Sequence, residues 1–164
     1  MNKVVHSSAS VEWSTPPKFY QMLNEIFRFT LDPCATKQNA KCEKFFTKKE
    51  DGLHQDWRLN RVFVNPPYGK TASLHWIRKC YTASLKGATC VALVPSRTDT
   101  KWFHSYVLRT EHLFIRGRLA FGGSSDPAPF PSLLVFFYPP LKVPYEARRL
   151  ATERVRKSLR SLRA

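Results

Sequence analysis

Residues 61–68 of the chain read RVFVNPPY, a short β-branched and aromatic run that ends in a double-proline turn. The apolar run predicts a buried strand over residues 61–65, because such side chains favour an extended backbone. The two prolines fix φ and remove backbone donors, so the carbonyls of the turn have no neighbouring N–H groups competing for them. Open α/β sheets bind ligands at the carboxyl ends of their strands. We therefore predict that the turn lies in a functional site.

The four residues of the turn have the chemistry that methylation of an amino group requires. The exocyclic amine of a nucleobase is a poor nucleophile, since its lone pair is delocalised into the ring. The side-chain oxygen of Asn65 and the carbonyl of Pro66 would provide two fixed acceptors for the amine protons, which is preorganised electrostatic catalysis. Pro67 completes the rigid turn, and Tyr68 offers a flat face on which an extruded base can stack. A plain proline turn, as at residues 139–140, is the competing interpretation.

The composition indicates one globular, soluble domain. The chain has 164 residues, of which 43% are hydrophobic, and this is enough for one domain with a substantial core. No apolar run approaches membrane-spanning length, and residues 1–10 lack the apolar core of a signal peptide, so we expect a cytoplasmic protein without membrane association. The four cysteines and five histidines have no zinc-like spacing, and no metal is indicated.

The charge points to a polyanionic partner. Lysines and arginines total 27 against 12 acidic residues, which gives a net charge of +15. Residues 139–164 contain eight basic and two acidic residues, so the remaining body has a net charge of +9. A basic body suits a nucleic-acid substrate better than a protein substrate, although the charge does not distinguish DNA from RNA and also improves solubility.

The periodicity predicts strands that alternate with helices, which is typical of an α/β fold. Thr15 and Pro16 resemble the N-cap and first residue of a helix, and Gly87 resembles the C-terminal cap of another. The predicted helices span residues 16–26, 36–42, 74–85, 98–108 and 145–163, and the predicted strands span residues 27–31, 44–47, 61–65, 88–94, 112–115, 118–121 and 133–138.

These elements predict a compact sheet with an antiparallel hairpin at its end, followed by a basic C-terminal helix. The last strands follow each other without an intervening helix, which favours the hairpin. The final helix has basic residues that can bind phosphate and an apolar stripe that can pack on the domain, and the two roles are compatible. We expect a mobile N-terminal arm over residues 1–12, a catalytic domain over residues 13–138 and a tail over residues 139–164.

Nine short motifs follow one another between residues 12 and 138. They are Trp13-x-Thr15-Pro16, Phe29-x-Leu31-Asp32, Asn39-Ala40-x-Cys42, Asp51-Gly52-Leu53, Val62-Phe63-Val64-Asn65-Pro66-Pro67-Tyr68, Leu93-Val94-Pro95-Ser96, Thr98-Asp99-Thr100-x-Trp102-Phe103, Gly117-Arg118-Leu119-x-Phe121 and Pro129-Phe130-Pro131-Ser132. Their order resembles the phage-type Dam DNA N6-adenine methyltransferases. The resemblance implies a Rossmann-like sheet, S-adenosylmethionine as methyl donor, and adenine in double-stranded DNA as acceptor, flipped into the site. It also implies a phage-encoded or bacterial protein, and it leaves the oligomeric state open.

The resemblance further implies which residues hold the cofactor. The turn after the first strand would accept the methionine end, with the Asp32 carboxylate accepting hydrogen bonds from the ammonium group. Asp51 would accept from the amine of the cofactor adenine, with Asp56 and Trp57 as competing candidates. The full set of implied cofactor-binding residues is Trp13, Thr15, Pro16, Asp32, Pro33, Cys34, Ala35, Asp51, Leu53 and Asn65.

Phosphate contacts are expected from basic residues in loops near strand ends and from the C-terminal helix. The candidates are Arg97, Lys101, Arg116, Arg118, Arg148 and Arg149.

Two departures from the general methyltransferase pattern accompany the resemblance. The turn after Asp32 contains no glycine, and only 33 residues separate Asp32 from Asn65, which predicts a shortened or missing strand–helix unit. The double-proline motif also occurs in enzymes that methylate adenine in RNA or glutamine in proteins, and cytosine N4 is chemically similar to adenine N6. A non-catalytic DNA-binding protein on the same scaffold is the rival from a different class.

Overall fold

A computed structural model of the chain describes residues 13–69, 71–122 and 126–162. Its four strands are β1 (Arg61–Val64), β2 (Thr89–Pro95), β3 (Glu111–Phe114) and β4 (Ser132–Phe137). Three α-helices and one π-helical turn accompany them: α1 (Pro17–Phe27), α2 (Ala72–Leu85), the turn Phe103–Val107 and α3 (Tyr145–Ser161). The predicted α/β class is confirmed. The predicted N-terminal arm, residues 1–12, lies outside the described residues.

The strands form one open mixed sheet in the order β1-β2-β4-β3. β1 and β2 are parallel, whereas β4 is antiparallel to both of its neighbours. Antiparallel pairing at the end of the sheet is present, but it joins β3 to β4 and not residues 118–121 to β4, and β4 is inserted between β2 and β3. Since β4 is antiparallel to both β2 and β3, β3 runs parallel to β1 and β2. The carboxyl ends of β1, β2 and β3 therefore all lie at the same edge of the sheet.

The alternation of side chains along the strands builds a core on each face of the sheet. One core contains Val62 and Val64 of β1 and receives Ile77 of α2. The opposite core contains Phe63 and receives residues of both α1 and α3. The central strands β2 and β4 are therefore buried on both faces, which explains why the segment over residues 89–95 is almost continuously apolar.

The first predicted strand, residues 27–31, is shorter in the structure than the sequence indicates. Phe27 ends α1, and only single parallel bridges continue the sheet beyond β1, from Leu31 to Val62 and from Asp32 to Phe45. The predicted strand 44–47 is likewise reduced to the bridge at Phe45. Pro33 has no backbone N–H, so the ladder cannot extend past Asp32.

The helix predicted over residues 36–42 is wrong. The segment forms a turn in which the N–H of Ala40 donates to the carbonyl of Thr36, and the side chain of Asn39 accepts from the N–H of Thr36 at 2.6 Å. These local side-chain bonds compete with helix formation.

Two other helix signals need correction. Pro16, not Thr15, is the N-cap of α1, and Pro17 occupies the first turn. The helix predicted over residues 98–108 is shortened to residues 101–107 and becomes π-helical from Phe103, where the N–H of Leu108 donates to the Phe103 carbonyl. The predicted end of α2 is confirmed, since Gly87 has a φ of 101° and directly follows the C-cap residue.

The strand predicted over residues 118–121 is absent. Both edges of β4 are already paired, with β2 and with β3, so the segment cannot pair with β4. Instead it runs as a loop over the sheet edge, where the N–H of Ala128 donates to the Leu119 carbonyl and the N–H of Gly122 donates to the Ser14 carbonyl, both at 2.8 Å. Because Gly122 bonds to Ser14, Phe121 lies beside the segment that contains Ser14.

The helix α3 lies on the same face of the sheet as α1. Its Val155 is fully buried, and Ala151 and Leu159 pack against the same core. Thr152 donates a hydrogen bond to the Glu111 carboxylate at the start of β3. The apolar stripe of α3 therefore packs on the sheet, except at Leu162, which is exposed.

Candidate active site

A pocket of about 440 Å³ opens at the carboxyl end of β1, where the sequence predicts the site. Five parts of the chain form its walls, and they are widely separated in the sequence. The lining residues are Trp13, Ser14, Thr15, Asp32, Pro33, Cys34, Ala35, Thr36, Asn39, Lys41, Thr47, Lys48, Asp51, Gly52, Phe63, Asn65, Pro66, Pro67 and Trp76. Of the predicted site residues, Pro16, Leu53 and Tyr68 lie outside this lining, and the rest of the catalytic and cofactor set is brought together.

The side chain of Asn65 is held at both ends of its amide. Its Nδ2 donates to the carbonyl of Trp13 at 2.5 Å and to Oγ1 of Thr15 at 2.8 Å. Its Oδ1 accepts from the hydroxyl of Tyr68 at 2.7 Å. An amide oxygen has two lone pairs, so Oδ1 retains one acceptor position for a further donor.

Tyr68 lies in an aromatic cluster at the edge of the pocket. Its ring meets that of Phe130 edge-to-face, with centroids 5.3 Å apart, and that of Phe121 at 6.3 Å. Trp13 makes edge-to-face contacts with the same two phenylalanines, at 5.2 and 5.6 Å. Burial raises the pKa of Tyr68 well above its usual range, so the hydroxyl remains protonated and is a donor.

The backbone of the turn provides the second predicted acceptor. Pro66 is buried and Pro67 is exposed, and both line the pocket. Among the described residues, the Pro66 carbonyl accepts no hydrogen bond. The adjacent Pro67 has no N–H, so the carbonyl meets no local donor. The turn can therefore present two oxygens, one from Asn65 and one from Pro66, to a single amine.

Asp32 places a buried carboxylate in the same pocket. Its side chain is only 5% exposed, and its two described hydrogen bonds come from the backbone N–H groups of Cys34, at 3.4 Å, and Lys41, at 3.1 Å. Burial raises the pKa of Asp32 to about 6, although the two N–H donors and the nearby Lys41 charge act in the opposite direction. A cationic ligand group in the pocket would favour the ionised form.

Pro33, Cys34 and Ala35 form a largely apolar wall beside this carboxylate. Burial raises the pKa of the Cys34 thiol well above its ordinary value, so the group is a neutral thiol and not a nucleophile. Ala35 is buried and donates its N–H to the carbonyl of Phe46. The turn after Asp32 thus consists of a proline and two small residues in place of a glycine-rich sequence.

The turn over residues 51–53 forms the facing wall, and its glycine is required by close packing. A Cβ on Gly52 would lie 1.9 Å from the carbonyl oxygen of Pro33. The Gly52 carbonyl accepts from the buried indole N–H of Trp57 at 2.9 Å. The two walls of the pocket therefore touch through the Gly52 and Pro33 backbones.

The structure separates the competing acidic candidates in this region. Asp51 lines the pocket, although its side chain is half-exposed, accepts from the Leu53 N–H and lies 2.6 Å from His54. Asp56 lies outside the pocket and pairs with Arg58 at 2.6 Å. Trp57 is a buried core residue. Asp51 is therefore the only one of the three that faces the pocket.

The basic candidates divide between the two edges of the sheet. Arg97 and Lys101 follow β2, and Arg116 and Arg118 follow β3, so these four exposed residues lie at the edge that contains Asn65. Arg148 lies at the opposite edge, where its guanidinium donates to the carbonyls of Val143, Pro139 and Pro140. Arg149, next to it on α3, is exposed.

Several residues in or beside the pocket have no role in the sequence-based prediction. Trp76 contributes its ring from the helix α2, and nothing in the helical periodicity distinguishes it from an ordinary core residue. Phe121 and Phe130 stand in motifs of the resemblance, but only the folded loop shows that they enclose Tyr68. In the described ranges there is no cluster of three or more residues suited to bind a metal ion, nor a helix long and apolar enough to cross a membrane.

A ligand-sized pocket at the strand ends of an open mixed α/β sheet is consistent with a methyltransferase-like fold. The family model described as DNA N-6-adenine-methyltransferase (Dam) matches residues 4–158. The chain therefore belongs to the Dam family.

Two curated relatives match shorter stretches. The DNA N-6-adenine-methyltransferase of Escherichia phage T1 is 29% identical over 93 residues, which cover 56% of this chain and 38% of the phage protein. YfdM of Escherichia coli (strain K12), which bears a provisional methyltransferase name, is 36% identical over 76 residues, covering 41% of this chain and 84% of the relative. The match thus spans about two fifths of the length of the phage T1 protein.

Proposed function

We propose that the chain transfers the methyl group of S-adenosylmethionine to N6 of adenine in double-stranded DNA, with the target base flipped out of the helix. The observation that carries this proposal is the sharing of one pocket by the Asn65-Pro66 acceptor pair and the buried Asp32 carboxylate. Membership of the Dam family and the name of the phage T1 relative support adenine in DNA as the acceptor.

The residues of the pocket fit the proposed cofactor. Its volume of about 440 Å³ lies in the range of ordinary small-molecule sites. S-adenosylmethionine has an ammonium group that would pair with Asp32, an adenine amine that would donate to Asp51, and apolar parts that would pack on Pro33 and Trp76. When bound, it supplies an electrophilic methyl group on a sulfonium.

The chain itself positions the acceptor. Asn65 Oδ1 and the Pro66 carbonyl would accept the two protons of the target amine, which favours a tetrahedral nitrogen with an available lone pair. Tyr68 would stack on the flipped base, and the contacts with Phe121 and Phe130 fix the position of its ring. Alignment of the amine in one orientation would provide much of the acceleration.

Exposed basic residues would bring the duplex to this edge. Arg97, Lys101, Arg116 and Arg118 all lie on the side of the sheet where the pocket opens. Phosphate contacts of this kind position the duplex without reading its sequence. We infer that sequence reading, where present, comes from residues 115–122 and 126–131, which include Phe121 and Phe130.

A transfer assay with methyl-labelled S-adenosylmethionine tests the proposal. The protein is incubated separately with double-stranded DNA, RNA and protein acceptors, and labelled DNA is digested to nucleosides. We expect label in DNA as N6-methyldeoxyadenosine. Label in RNA, in protein or in N4-methyldeoxycytidine would refute the proposed substrate, and no label in any acceptor would favour a non-catalytic binding protein.

The variant Asn65→Ala tests the proposed centre. We expect it to lose transfer by at least about a hundredfold, since one preorganised group in such a site has an effect of this order. Its affinity for DNA should change little, because phosphate contacts dominate binding. Wild-type transfer by Asn65→Ala, with the fold verified by thermal denaturation, would show that the reaction occurs elsewhere.

A further inference from the structure

The segment Trp13–Thr15 contacts the turn at Asn65 and also contacts Gly122, in the loop that follows β3. Trp13 and Thr15 both accept from Nδ2 of Asn65. Between them, the Ser14 carbonyl accepts from the N–H of Gly122 at 2.8 Å. The segment is therefore bonded both to Asn65, directly after β1, and to Gly122, in the loop that follows β3.

The hydroxyl of Thr15 has no role in starting the following helix. Pro16 is the N-cap of α1, and no side-chain capping bond is present there. Thr15 is nonetheless only 2% exposed. A buried hydroxyl without a partner would be unfavourable, and the described bond of Thr15 goes to Asn65, which lies 50 residues away in the sequence.

The bonds to Trp13 and Thr15 together fix which way the Asn65 amide faces. The two ends of an asparagine amide have the same shape but opposite hydrogen-bonding character. A flipped amide would turn its oxygen toward the Trp13 carbonyl, which can only accept, so this carbonyl selects the orientation with Oδ1 toward Tyr68. The Thr15 hydroxyl, which can donate as well as accept, takes the second Nδ2 proton and holds the side chain in that orientation.

We propose that Thr15 is a positioning residue, whose hydroxyl holds the Asn65 amide in the orientation that the Trp13 carbonyl selects, with its oxygen toward the target amine. The inference rests on the proposed function for its consequence, since only a methyl-accepting amine requires an acceptor at that point. Thr15 acts through Asn65, in addition to lining the pocket. Loss of the hydroxyl should therefore lower the rate of transfer at saturating DNA and cofactor.

Two variants separate the hydroxyl from the side-chain shape. Thr15→Val keeps the branched shape and removes the acceptor, whereas Thr15→Ser keeps the hydroxyl. We expect Thr15→Val to lower kcat by about tenfold, the equivalent of one hydrogen bond, and Thr15→Ser to remain within about threefold of wild type. Should Thr15→Val not fold, Thr15→Ala removes the same hydroxyl without the added methyl group.

A measurement without substrate tests the bond itself. In a ¹H–¹⁵N spectrum, the side-chain amide pair of Asn65 is the pair that disappears in Asn65→Ala. We expect this pair to shift in Thr15→Val, with faster exchange of its protons with water, and to stay near its wild-type position in Thr15→Ser. An unchanged pair in Thr15→Val would overturn the inference.

The two readouts distinguish failure of the inference from failure of the proposed function. If the wild-type protein methylates DNA and Thr15→Val does so at the wild-type kcat, the positioning role is wrong while the function stands. If the wild-type protein transfers no methyl group to DNA, the proposed function fails. The amide spectra still decide in that case whether Thr15 orients Asn65.

Discussion

At Asp32 the fold holds a buried carboxylate whose described hydrogen bonds both come from backbone N–H groups. Burial disfavours its ionised form and raises its pKa to about 6. A bound ammonium group would stabilise the ionised form, so ligand binding and ionisation of Asp32 should be linked. Binding is therefore expected to strengthen as the pH rises through 6, and to weaken as Asp32 becomes protonated below it.

Calorimetric titration with S-adenosylhomocysteine, the demethylated cofactor, tests this linkage. Between about pH 5 and 8, the Kd of the wild-type protein should rise as the pH falls, by up to about tenfold per unit below the pKa of Asp32. Asp32→Asn should bind weakly and with little pH dependence. Asp56→Asn, which changes an exposed carboxylate outside the pocket, should retain the wild-type profile. An equal pH dependence in Asp32→Asn would assign the titration to another group.

At the scale of the elements, the pocket depends on two loop segments that pack backbone against backbone. Gly52 sits where any Cβ would overlap the Pro33 carbonyl. Gly52→Ala must therefore push residues 51–53 away from the Pro33 carbonyl and weaken the bond between Trp57 and the Gly52 carbonyl. We expect a loss of about 1–3 kcal/mol in the free energy of unfolding, the usual cost of overpacking, together with weaker binding of S-adenosylhomocysteine.

Gly69→Ala is the matched control for this change. Gly69 is exposed, and a Cβ there would meet only the Cβ of Ala72, at an ordinary 3.7 Å. Its denaturation midpoint should therefore stay close to that of the wild-type protein. Equal stability of Gly52→Ala and Gly69→Ala in urea denaturation would show that the two walls do not touch as described.

The sequence predicts the central elements well because their signals are local. β1, β2 and β4 are short apolar runs, and α2 is followed by Gly87, which has a positive φ. Periodicity and capping are therefore sufficient to predict these elements. Residues 27–47 are predicted poorly for the opposite reason. Their conformation depends on single bridges to β1 and between Asp32 and Phe45, which are tertiary contacts that no local pattern encodes.

The candidate site divides in the same way. The turn at residues 65–68 and the acid at Asp32 are recognisable as motifs, and the structure places Asn65 and Asp32 on one pocket. The bond from Asn65 to Thr15 joins residues 50 positions apart, and the enclosure of Tyr68 by Phe121 and Phe130 requires the loop that replaces a predicted strand. Motifs thus indicate which residues form a site, whereas the orientation of the side chains depends on contacts between residues that are distant in the sequence.

At the scale of the whole molecule, the net charge of +15 acts on any polyanion, but only part of it lies near the pocket. Arg97 and Lys101 follow β2 at the edge that contains Asn65. Lys86 and Lys142 lie at the opposite edge, beside Gly87 at the start of β2. All four are exposed, so their removal should leave the core unchanged and alter only the field that the DNA meets.

Two double variants with the same loss of charge separate local contacts from this general attraction. Each phosphate contact contributes about 0.9 to the slope of log Kobs against log salt concentration. Arg97→Ala/Lys101→Ala should therefore lower the steepness of that slope by up to about 1.8 and weaken binding of a duplex, whereas Lys86→Ala/Lys142→Ala should keep nearly the wild-type slope. Fluorescence anisotropy with a labelled duplex at several salt concentrations measures both. Equal slopes for the two variants would mean that the duplex responds to the total charge of the molecule and does not dock at the edge of the sheet that contains Asn65.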